Sequence, residues 1–375
     1  MQKFYDPFLF NDKQIVKSIE EKNSQIFVEL EDTIFYPGGG GQPNDTGIIK
    51  NEKFLAKVID IKKVEDRILH IIFIEKGSLK KGDNVNLEID SKKRIKLVRM
   101  HTGEHILFKS LELILEDVSL DKINLSEDES ALYIKTKKVN WNLLFKAEEL
   151  TNKIISEDRQ VIETFYSIED AIKLGKLRIK PERIKSKKVR VVEIKDFDWS
   201  ACAGTHASST GFVGNLLITK FSFVKGSWEI KFKTTVKKDF FDLANIVRKS
   251  SKLLECDNKT ILENIKKLQE ESENQKTKYR NICAKFLNFN KFEKLGEINF
   301  IWNIVNDLEK KQLIDKINEN LKEKTIVCFV NENSEKTLVF LSCSENLKLD
   351  IPQILRETLE KFNGKSGGRG TFVFT

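Results

Sequence analysis

The sequence predicts an α+β fold built from several domains, and three changes of pattern along the chain predict it. Short apolar segments with strand-like alternation fill residues 1–90, helical and strand-like segments mix in 91–236, and apolar residues recur in steps of three and four in 237–290. Residues 291–375 then alternate strands with helices. We therefore expect a small β-barrel, an α+β domain, a helical arm and an α/β C-terminal domain, which suits a chain of 375 residues.

The first part is expected to form a barrel because its apolar segments are short and are separated by Gly, Asn and Asp. The predicted strands are 25–30, 33–36, 54–61, 68–74 and 84–89. The run of four glycines between Pro37 and Pro43 cannot continue a strand and predicts a loop. This loop lacks the Lys-Ser/Thr of a phosphate-binding P-loop, so its glycines indicate close backbone approach by a ligand or by another segment.

The spacing of apolar residues places the remaining elements. The second part has predicted helices at 94–115 and 142–155 and predicted strands at 189–194, 216–223 and 228–232. One long helix is predicted from residue 240, and polar residues at several of its seam positions indicate a marginal coiled coil or a hairpin arm. The last part has predicted helices at 307–322 and 353–362, strands at 325–330 and 337–342, and a glycine-rich end at 364–370.

Composition argues against the membrane and secreted classes. Hydrophobic residues make up 40% of the chain and charged residues 33%, which is the balance of a soluble globular protein. No apolar run is long enough to cross a bilayer, and the first residues lack the pattern of a signal peptide. The five cysteines are odd in number and scattered, so a disulfide framework is not expected. We expect a cytoplasmic protein in a reducing compartment.

Two clusters of basic residues predict a polyanionic partner. The net charge is only +8, but residues 173–195 contain ten basic side chains against two acidic ones. A second cluster lies at 92–99. A solvated lysine-rich face is the simpler interpretation of either cluster alone. Both flank candidate metal ligands, which favours a nucleic acid. The candidate contacts are Lys92, Lys93, Arg94, Arg183, Lys187, Lys188 and Arg190.

Two short motifs predict a metal site. The chain has four histidines, and His101 and His105 occupy positions i and i+4 of a predicted helix, on one face. Cys202-Ala-Gly-Thr-His206 adds a thiolate and a third imidazole. One sulfur and three nitrogens suit tetrahedral zinc, so we expect one Zn²⁺ per chain. A buried cysteine with capping histidines would not account for the concentration of histidine in two motifs.

The first histidine motif has a second interpretation besides a zinc site made by His101, His105, Cys202 and His206. His101-Thr-Gly-Glu-His105 also has the spacing of inverted-motif zinc peptidases, in which the glutamate, here Glu104, is the general base. Those enzymes keep one metal position open, whereas Cys202 and His206 would close it. The remaining histidine, His70, is expected to be a half-exposed strand residue, and the other four cysteines are expected to be small buried hydrophobes.

Together the motifs resemble a known family. Residues 32–47, 99–107, 191–206 and 209–214 occur in the order and spacing of the editing domain of alanyl-tRNA synthetase. Because no aminoacylation domain precedes them, the chain looks like the free-standing AlaX editing proteins. Its arm and tail are similar to the C-terminal, DHHA1-type domain of the long AlaX form. The paired metal motifs also occur in the threonyl-tRNA synthetase editing domain, but the glycine-rich segment 38–42 favours the alanine family.

The resemblance implies a fold of the threonyl/alanyl-tRNA synthetase second-additional-domain type and an aminoacyl-tRNA hydrolase. The implied substrate is alanine tRNA mischarged with serine, chiefly, or with glycine. His101, His105, Cys202 and His206 carry over as zinc ligands, and Thr33 matches a threonine that helps to recognise the serine hydroxyl. Further candidates for substrate binding in the matched segment are Gly39, Gly40, Gln42 and Thr46.

Some questions stay open from the sequence. The resemblance leaves the general base unidentified, and it does not say whether zinc is catalytic or positions the substrate. An alternative is a tRNA-binding protein with an idle editing centre. The helical arm and C-terminal domain are candidates for a homodimer contact.

Overall fold

The computed structural model describes residues 2–175, 177–178, 188–286, 290–332, 337–361, 367–369 and 372–374. The chain divides into two compact units, Met1–Leu243 and Ala244–Thr375. Both mix helices with strands, so the predicted α+β class is confirmed. The finer division at residues 90, 236 and 290 remains a prediction. Among the described helices, none has the length and apolarity needed to span a bilayer.

The N-terminal unit begins with a closed barrel of six antiparallel strands. They are β1 (Asn11–Lys22), β2 (Gln25–Leu30), β3 (Gly47–Lys50), β4 (Leu55–Val64), β5 (Arg67–Lys76) and β6 (Asn84–Ile89), in the order β1-β2-β5-β4-β3-β6. Asn23 and Ser24, both with positive φ, make the two-residue turn between β1 and β2. The barrel interior is filled by Val28, Ile49, Val58, Leu87 and their neighbours.

The structure corrects one predicted strand of the barrel and adds two. Residues 33–36 are not a strand but an irregular, buried segment that follows β2. Its polar backbone groups are satisfied locally, since Tyr36 N–H donates to the Asp45 carboxylate and Phe35 N–H donates to Thr33 Oγ1. Strands β1 and β3 were not predicted. In β1 the apolar residues are too sparse, and β3 is only four residues long.

His70 is fully buried in β5, and the prediction of a half-exposed residue is wrong. Its Nδ1 lies 3.0 Å from the carbonyl oxygen of Val28, and its Nε2 lies 2.9 Å from Thr33 Oγ1. His70, Ile71 and Ile72 are all buried, so simple alternation cannot assign their faces. Burial lowers the pKa of His70 to about 4.

This pKa predicts an acid-dependent loss of stability. The unfolded chain takes up a proton at His70 near pH 6.5, whereas the folded chain resists protonation until about pH 4. The contribution of the buried neutral His70 to the free energy of unfolding is therefore complete above pH 6.5, and it declines as the pH falls to about 4. Between these limits the wild type should lose about 3 kcal/mol more unfolding free energy than His70→Gln. Urea unfolding across this range measures the difference, and parallel curves for the two proteins would contradict it.

The rest of the N-terminal unit surrounds a central helix. Its elements are α1 (Ser91–Ile114), β7 (Ser119–Asn124), β8 (Ser130–Lys135), α2 (Trp141–Ser156), β9 (Val161–Ser167), α3 (Ile168–Lys173), β10 (Lys188–Ile194), β11 (Asp198–Ala201), β12 (Leu216–Val224) and β13 (Ser227–Thr234). The strands form two antiparallel sheets, β12-β13-β8-β7 and β11-β10-β9. Asp90 caps α1 and Asn140 caps α2, each accepting a bond from a backbone N–H in the first turn.

Helix α1 positions the site because it is buried nearly all round. Leu107, Phe108 and Leu111 belong to the same core as Leu144 of α2 and Phe232 of β13. A helix that packs on several sides shows no single apolar stripe. Its polar residues are therefore held in the interior, and the stretch from Met100 to Phe108 is buried throughout.

The C-terminal unit contains a helical segment followed by a six-stranded sheet. The segment comprises α4 (Lys237–Leu253), whose first residues belong to the N-terminal unit, and α5 (Ile261–Phe286). The single long helix predicted from 240 is wrong. Glu255 adopts a positive φ of 49°, and Asp257 then caps a new helical start by accepting from Lys259 N–H. The chain is therefore not helical throughout this segment.

The sheet of the C-terminal unit confirms the alternation predicted there. It contains β14 (Lys291–Leu295), β15 (Ile298–Asn306), β16 (Thr325–Glu332), β17 (Thr337–Cys343), β18 (Gly367–Arg369) and β19 (Phe372–Phe374), in the order β14-β15-β16-β17-β19-β18. Helix α6 (Lys310–Asn320) connects the parallel pair β15 and β16, and α7 (Ile351–Glu360) follows β17. Cys283 and Cys343 are buried as expected, whereas Cys256 and Cys328 are half-buried.

Candidate metal centre

The first pair of predicted ligands lies one helical turn apart on α1. His101 and His105 are both buried, and their ring centroids are 5.3 Å apart. Side chains at i and i+4 of a helix face the same direction. The burial of α1 therefore points both imidazoles into the interior of the unit.

The second pair comes from the loop that follows β11. Cys202 N–H donates to the carbonyl oxygen of Arg190 in β10, so the loop starts from the sheet edge. Cys202 Sγ lies 3.3 Å from His101 Nε2 and 3.3 Å from His206 Nε2. One ligand atom from each of the four residues can be chosen so that all lie within 4.8 Å of one another. The two sequence motifs are thus brought together.

Gly204 permits this close approach. A Cβ atom at this position would lie 2.0 Å from His101 Cε1 and 2.8 Å from Gln42 Oε1. No side chain fits between the loop and α1, and this steric limit explains why residue 204 of Cys202-Ala-Gly-Thr-His206 is a glycine.

The donor set fits zinc. One thiolate and three imidazoles bonded at about 2.0–2.3 Å make a tetrahedron with edges of about 3.5 Å. The distances from the Cys202 sulfur to His101 and His206 are close to that edge. Although burial opposes ionisation, His101 and His206 hold the pKa of the Cys202 thiol well below its usual range. A thiolate is the form that binds metal.

Each imidazole of α1 has a polar partner on the side away from the cluster. His101 Nδ1 lies 2.7 Å from Gln42 Oε1, which also accepts Thr205 N–H at 3.0 Å. Because an amide oxygen only accepts, His101 carries its proton on Nδ1 and leaves Nε2 available to a metal. His105 Nδ1 lies 3.5 Å from the carboxylate of Asp198. That carboxylate also accepts from Ser200 Oγ and from Arg178.

Gln42 therefore has a supporting role that the sequence did not reveal. Losing such a partner of a metal-bound imidazole typically weakens metal affinity by about 10–100-fold. We expect this loss for Gln42→Ala, measured by zinc competition with a chromogenic chelator. Asn44→Ala, in the same loop, is the control and should retain the wild-type affinity. Equal affinities for the Gln42 variant and the wild type would show that the contact with His101 does not support the metal.

The other predicted substrate residues lie in and beside the glycine-rich loop. Thr33 is buried, Thr46 is half-buried, and Gly39 and Gly40 are exposed. The loop does make a close approach to another segment, since a Cβ at Gly41 would lie 2.8 Å from the carbonyl oxygen of Ile123. Substrate binding by these residues remains a prediction.

Two of the predicted nucleic-acid contacts are interior residues. Arg94 is fully buried and pairs with Asp45, and Arg190 is 6% exposed and pairs with Glu163. Arg190 also donates to the carbonyl oxygens of Cys202 and Gly204, at 2.9 and 2.8 Å. Both guanidinium groups are therefore used inside the protein, which corrects their expected role.

Of the five remaining basic candidates, three lie in the part of the chain that the structure describes. Lys92 and Lys188 are exposed and Lys93 is half-buried. Arg183 and Lys187 lie outside the described residues. A phosphate contact remains a prediction for these five.

Sequence reasoning missed the surroundings of several polar residues around the cluster. Asp198 falls within the matched segment 191–206, and Arg190 directly precedes it. Their positions in the sequence therefore pointed to the site. Glu104 lies between the two histidines of α1, and burial raises the pKa of its carboxyl group. Its Oε1 has no hydrogen-bond partner among the described residues. Asp45 also falls within a matched segment, 32–47, but its pairing with Arg94 was missed because Arg94 looked like part of a basic surface.

Comparison with known proteins agrees with the arrangement of this unit. Residues 6–93 match the family model for class II (A) tRNA synthetases, and residues 189–230 match the threonyl and alanyl tRNA synthetase second additional domain. The alanyl-tRNA editing protein AlaX-L of Pyrococcus horikoshii is 29% identical over 97% of this chain and 91% of that protein. The resemblance found in the motifs is thereby confirmed.

Alanine–tRNA ligases are similar over part of their length. The ligase of Sulfurisphaera tokodaii is 30% identical over 97% of this chain, and that of Pyrococcus furiosus is 32% identical over 80%. The chain spans only 41% and 34% of these two ligases. A solved structure, the C-Ala domain from Aquifex aeolicus alanyl-tRNA synthetase, matches 22% of this chain at 18% identity, with a TM-score of 0.21.

Proposed function

Since this chain is related over 97% of its length to an alanyl-tRNA editing protein, we propose that it is a trans-editing hydrolase of mischarged alanine tRNA. Its substrates would be Ser-tRNA(Ala), chiefly, and Gly-tRNA(Ala). The observation that carries the proposal is the meeting of His101, His105, Cys202 and His206 in one buried cluster. The cluster joins α1 to the segment that matches the second additional domain.

The four side chains would hold one zinc ion. Bound there by all four side chains, zinc would have no open position and would supply a fixed positive charge that orients the ester end of the substrate. The protein's own contribution is to keep the ligands rigid. Gln42 contacts the imidazole of His101, the carboxylate of Asp198 lies beside that of His105, and Arg190 holds the ligand loop by its carbonyl oxygens. Such preorganisation removes the cost of arranging the site during the reaction.

A hydrogen-bond acceptor in the site would give a physical basis for selecting serine over alanine. A site that accepts a hydrogen bond from the serine hydroxyl leaves its own polar group unpaired when alanine binds. Thr33 offers a hydroxyl oxygen that can accept this hydrogen bond. It lies at the start of the segment that leads to Gln42. We expect Ser-tRNA(Ala) to be hydrolysed at least about 100-fold faster than Ala-tRNA(Ala).

Transfer RNA would be drawn to the protein by basic residues that are exposed or half-buried. Lys92, Lys93 and Lys188 are the described candidates, with Arg183 and Lys187 beyond the described part. Each phosphate contact adds to the salt dependence of binding. Lys92→Ala should therefore weaken tRNA binding without changing the ratio of rates on the two esters.

The test is deacylation of Ser-tRNA(Ala) beside Ala-tRNA(Ala), by the wild type and by Cys202→Ala. The proposal predicts rapid loss of the serine ester, sparing of the alanine ester, and no activity in the variant. Cys256→Ala is the matched control, because this thiol lies in the C-terminal unit and is not one of the four clustered residues. Its activity should equal that of the wild type.

Two alternatives give different results in the same assay. A protein with an idle editing centre would protect tRNA in a footprint and release no amino acid. An inverted-motif peptidase would cleave peptides, lose that activity in Glu104→Gln and retain it in Cys202→Ala. Either pattern would replace the proposed function.

A further inference from the structure

A hydrogen-bonded chain buried in the barrel ends at Thr33. The carbonyl oxygen of Val28 lies 3.0 Å from His70 Nδ1, and His70 Nε2 lies 2.9 Å from Thr33 Oγ1. Val28 and His70 are fully buried and Thr33 is 3% exposed. The chain therefore links the wall of the barrel to a residue that, under the proposed function, meets the substrate.

The position of each proton in this chain follows from the chemistry of its ends. A carbonyl oxygen can only accept, so His70 carries a proton on Nδ1. Burial keeps the imidazole neutral at pH 7, since it lowers the pKa of His70 to about 4. A neutral imidazole has one N–H, so its Nε2 is an acceptor. The hydroxyl proton of Thr33 must then point to His70 Nε2.

This arrangement leaves Thr33 Oγ1 as an acceptor only. Its proton is donated to His70, and one lone pair accepts Phe35 N–H at 3.1 Å. One lone pair remains. A group that meets Thr33 there must donate a hydrogen bond, as the hydroxyl of a seryl ester can. Alanyl and glycyl esters have no side-chain donor.

We propose that His70 is a positioning residue that fixes the Thr33 hydroxyl as a hydrogen-bond acceptor and so favours seryl esters. The inference rests on the proposed function, because it concerns selection at the same site. Thr33 and the metal cluster are connected by one short segment. It starts at Thr33, packs Phe35 edge-on against His70 at 5.5 Å, and ends at Gln42, which bonds to His101.

Packing alone does not account for a histidine at this place. His70 packs edge-on against Phe35 and is followed along β5 by the buried Ile71 and Ile72. An apolar side chain of similar size would fill the barrel without the cost of desolvating an imidazole. The histidine is matched to Thr33 and Val28 through both ring nitrogens, which an apolar residue cannot do.

The first test observes the tautomer directly. Long-range ¹H–¹⁵N NMR of the wild-type protein distinguishes a protonated Nδ1 from a protonated Nε2, and with four histidines the spectrum is sparse. His70→Gln identifies the His70 signals by their loss. We expect a neutral ring protonated on Nδ1 at pH 7. A ring protonated on Nε2 would overturn the inference whatever the activity of the enzyme.

The second test compares hydrolysis of Ser-tRNA(Ala) with hydrolysis of Gly-tRNA(Ala). His70→Phe removes the acceptor for Thr33 and should lower the ratio of the serine rate to the glycine rate by about tenfold. His70→Gln can place an amide oxygen near the position of Nε2 and should restore most of the ratio. In a Thr33→Val background, His70→Phe should change the ratio no further.

The glycyl ester separates selection from damage to the fold. An equal fall of both rates in His70→Phe and His70→Gln, with zinc content unchanged, would show a structural role only and overturn the inference. A further fall of the ratio in the Thr33→Val background would show that His70 does not act through Thr33. If the wild type hydrolyses neither ester, the proposed function fails, and the selective role of His70 fails with it.

Discussion

Asp45→Ala is expected to lower the free energy of unfolding of the N-terminal unit by about 3–5 kcal/mol. The reason is the buried Arg94, whose side chain and that of Asp45 are both fully shielded from solvent. Arg94 Nε lies 3.0 Å from one carboxylate oxygen of Asp45 and 3.1 Å from the other. Removing the carboxylate leaves the guanidinium charge without its counter-ion in the interior.

The pair also joins two parts of the N-terminal unit. Arg94 belongs to the first turns of α1 and donates to the carbonyl oxygens of Asp6 and Ile34 as well, at 2.9 and 2.8 Å. Asp45 accepts Tyr36 N–H. The change should therefore loosen the packing of α1 against the segment that connects β2 to β3. Urea unfolding of the full chain measures the effect.

A surface pair provides the control for Asp45→Ala. Lys50 and Glu88 bridge neighbouring strands of the barrel at 2.6 Å, and both side chains are 44% exposed. Glu88→Ala should cost about 1 kcal/mol or less. A loss for Asp45→Ala no larger than that for Glu88→Ala would contradict the account of a buried pair.

Removal of zinc is the second change with a large expected effect. The metal would tie α1 to the loop at 202–206, and a ligand at a hundred to a thousand times its dissociation constant stabilises the folded state by about 3–4 kcal/mol. For a unit of this size, the melting temperature should fall by about 5–15 °C when a chelator removes the metal. Differential scanning calorimetry with and without chelator measures the shift.

The ligand variants make this prediction specific. Cys202→Ala should melt at the same temperature with and without chelator, because one of its four ligands is gone. Cys256→Ala should shift as the wild type does. A chelator response that persists in Cys202→Ala would place the metal elsewhere.

The metal cluster was predictable because its residue types are rare in this chain. The chain has four histidines in all, and three of them fall in two short motifs, which is hard to reconcile with chance placement. The spacing of His101 and His105 on a helix then gives their direction. The partners of the ligands were not predictable in the same way. Gln42 and Asp198 are ordinary polar residues, and only the folded chain shows that they face His101 and His105.

The patterns of charge and of apolar alternation gave the wrong environment for two residues that are buried in the structure. Arg94 stands in a run of basic residues, but its place on α1 turns it towards Asp45, far away in sequence. His70 stands in a strand where His70, Ile71 and Ile72 are buried one after another, so both faces of the strand are covered there, whereas barrel strands usually alternate between interior and exterior residues. Local patterns carry no information on such distant partners, so both residues were assigned to the wrong environment.

Helical spacing also overestimated the continuity of the arm. A seam of regular period runs through 240–286, yet α4 ends at Leu253 and α5 starts at Ile261. Between them Glu255 has a positive φ, and Asp257 caps the second helical start. Capping chemistry acts within a single turn and outweighs a seam whose positions are often polar.

The proposed function requires that His101, His105, Cys202 and His206 form one zinc-containing editing centre. This requirement is tested by adding zinc to the metal-free wild-type protein while serine release from Ser-tRNA(Ala) is measured in the same sample. We expect no release without zinc, a rise in proportion to bound zinc up to one ion per chain, and no response in Cys202→Ala. Full activity of the metal-free protein, or one bound zinc per chain without any serine release, would contradict the proposal.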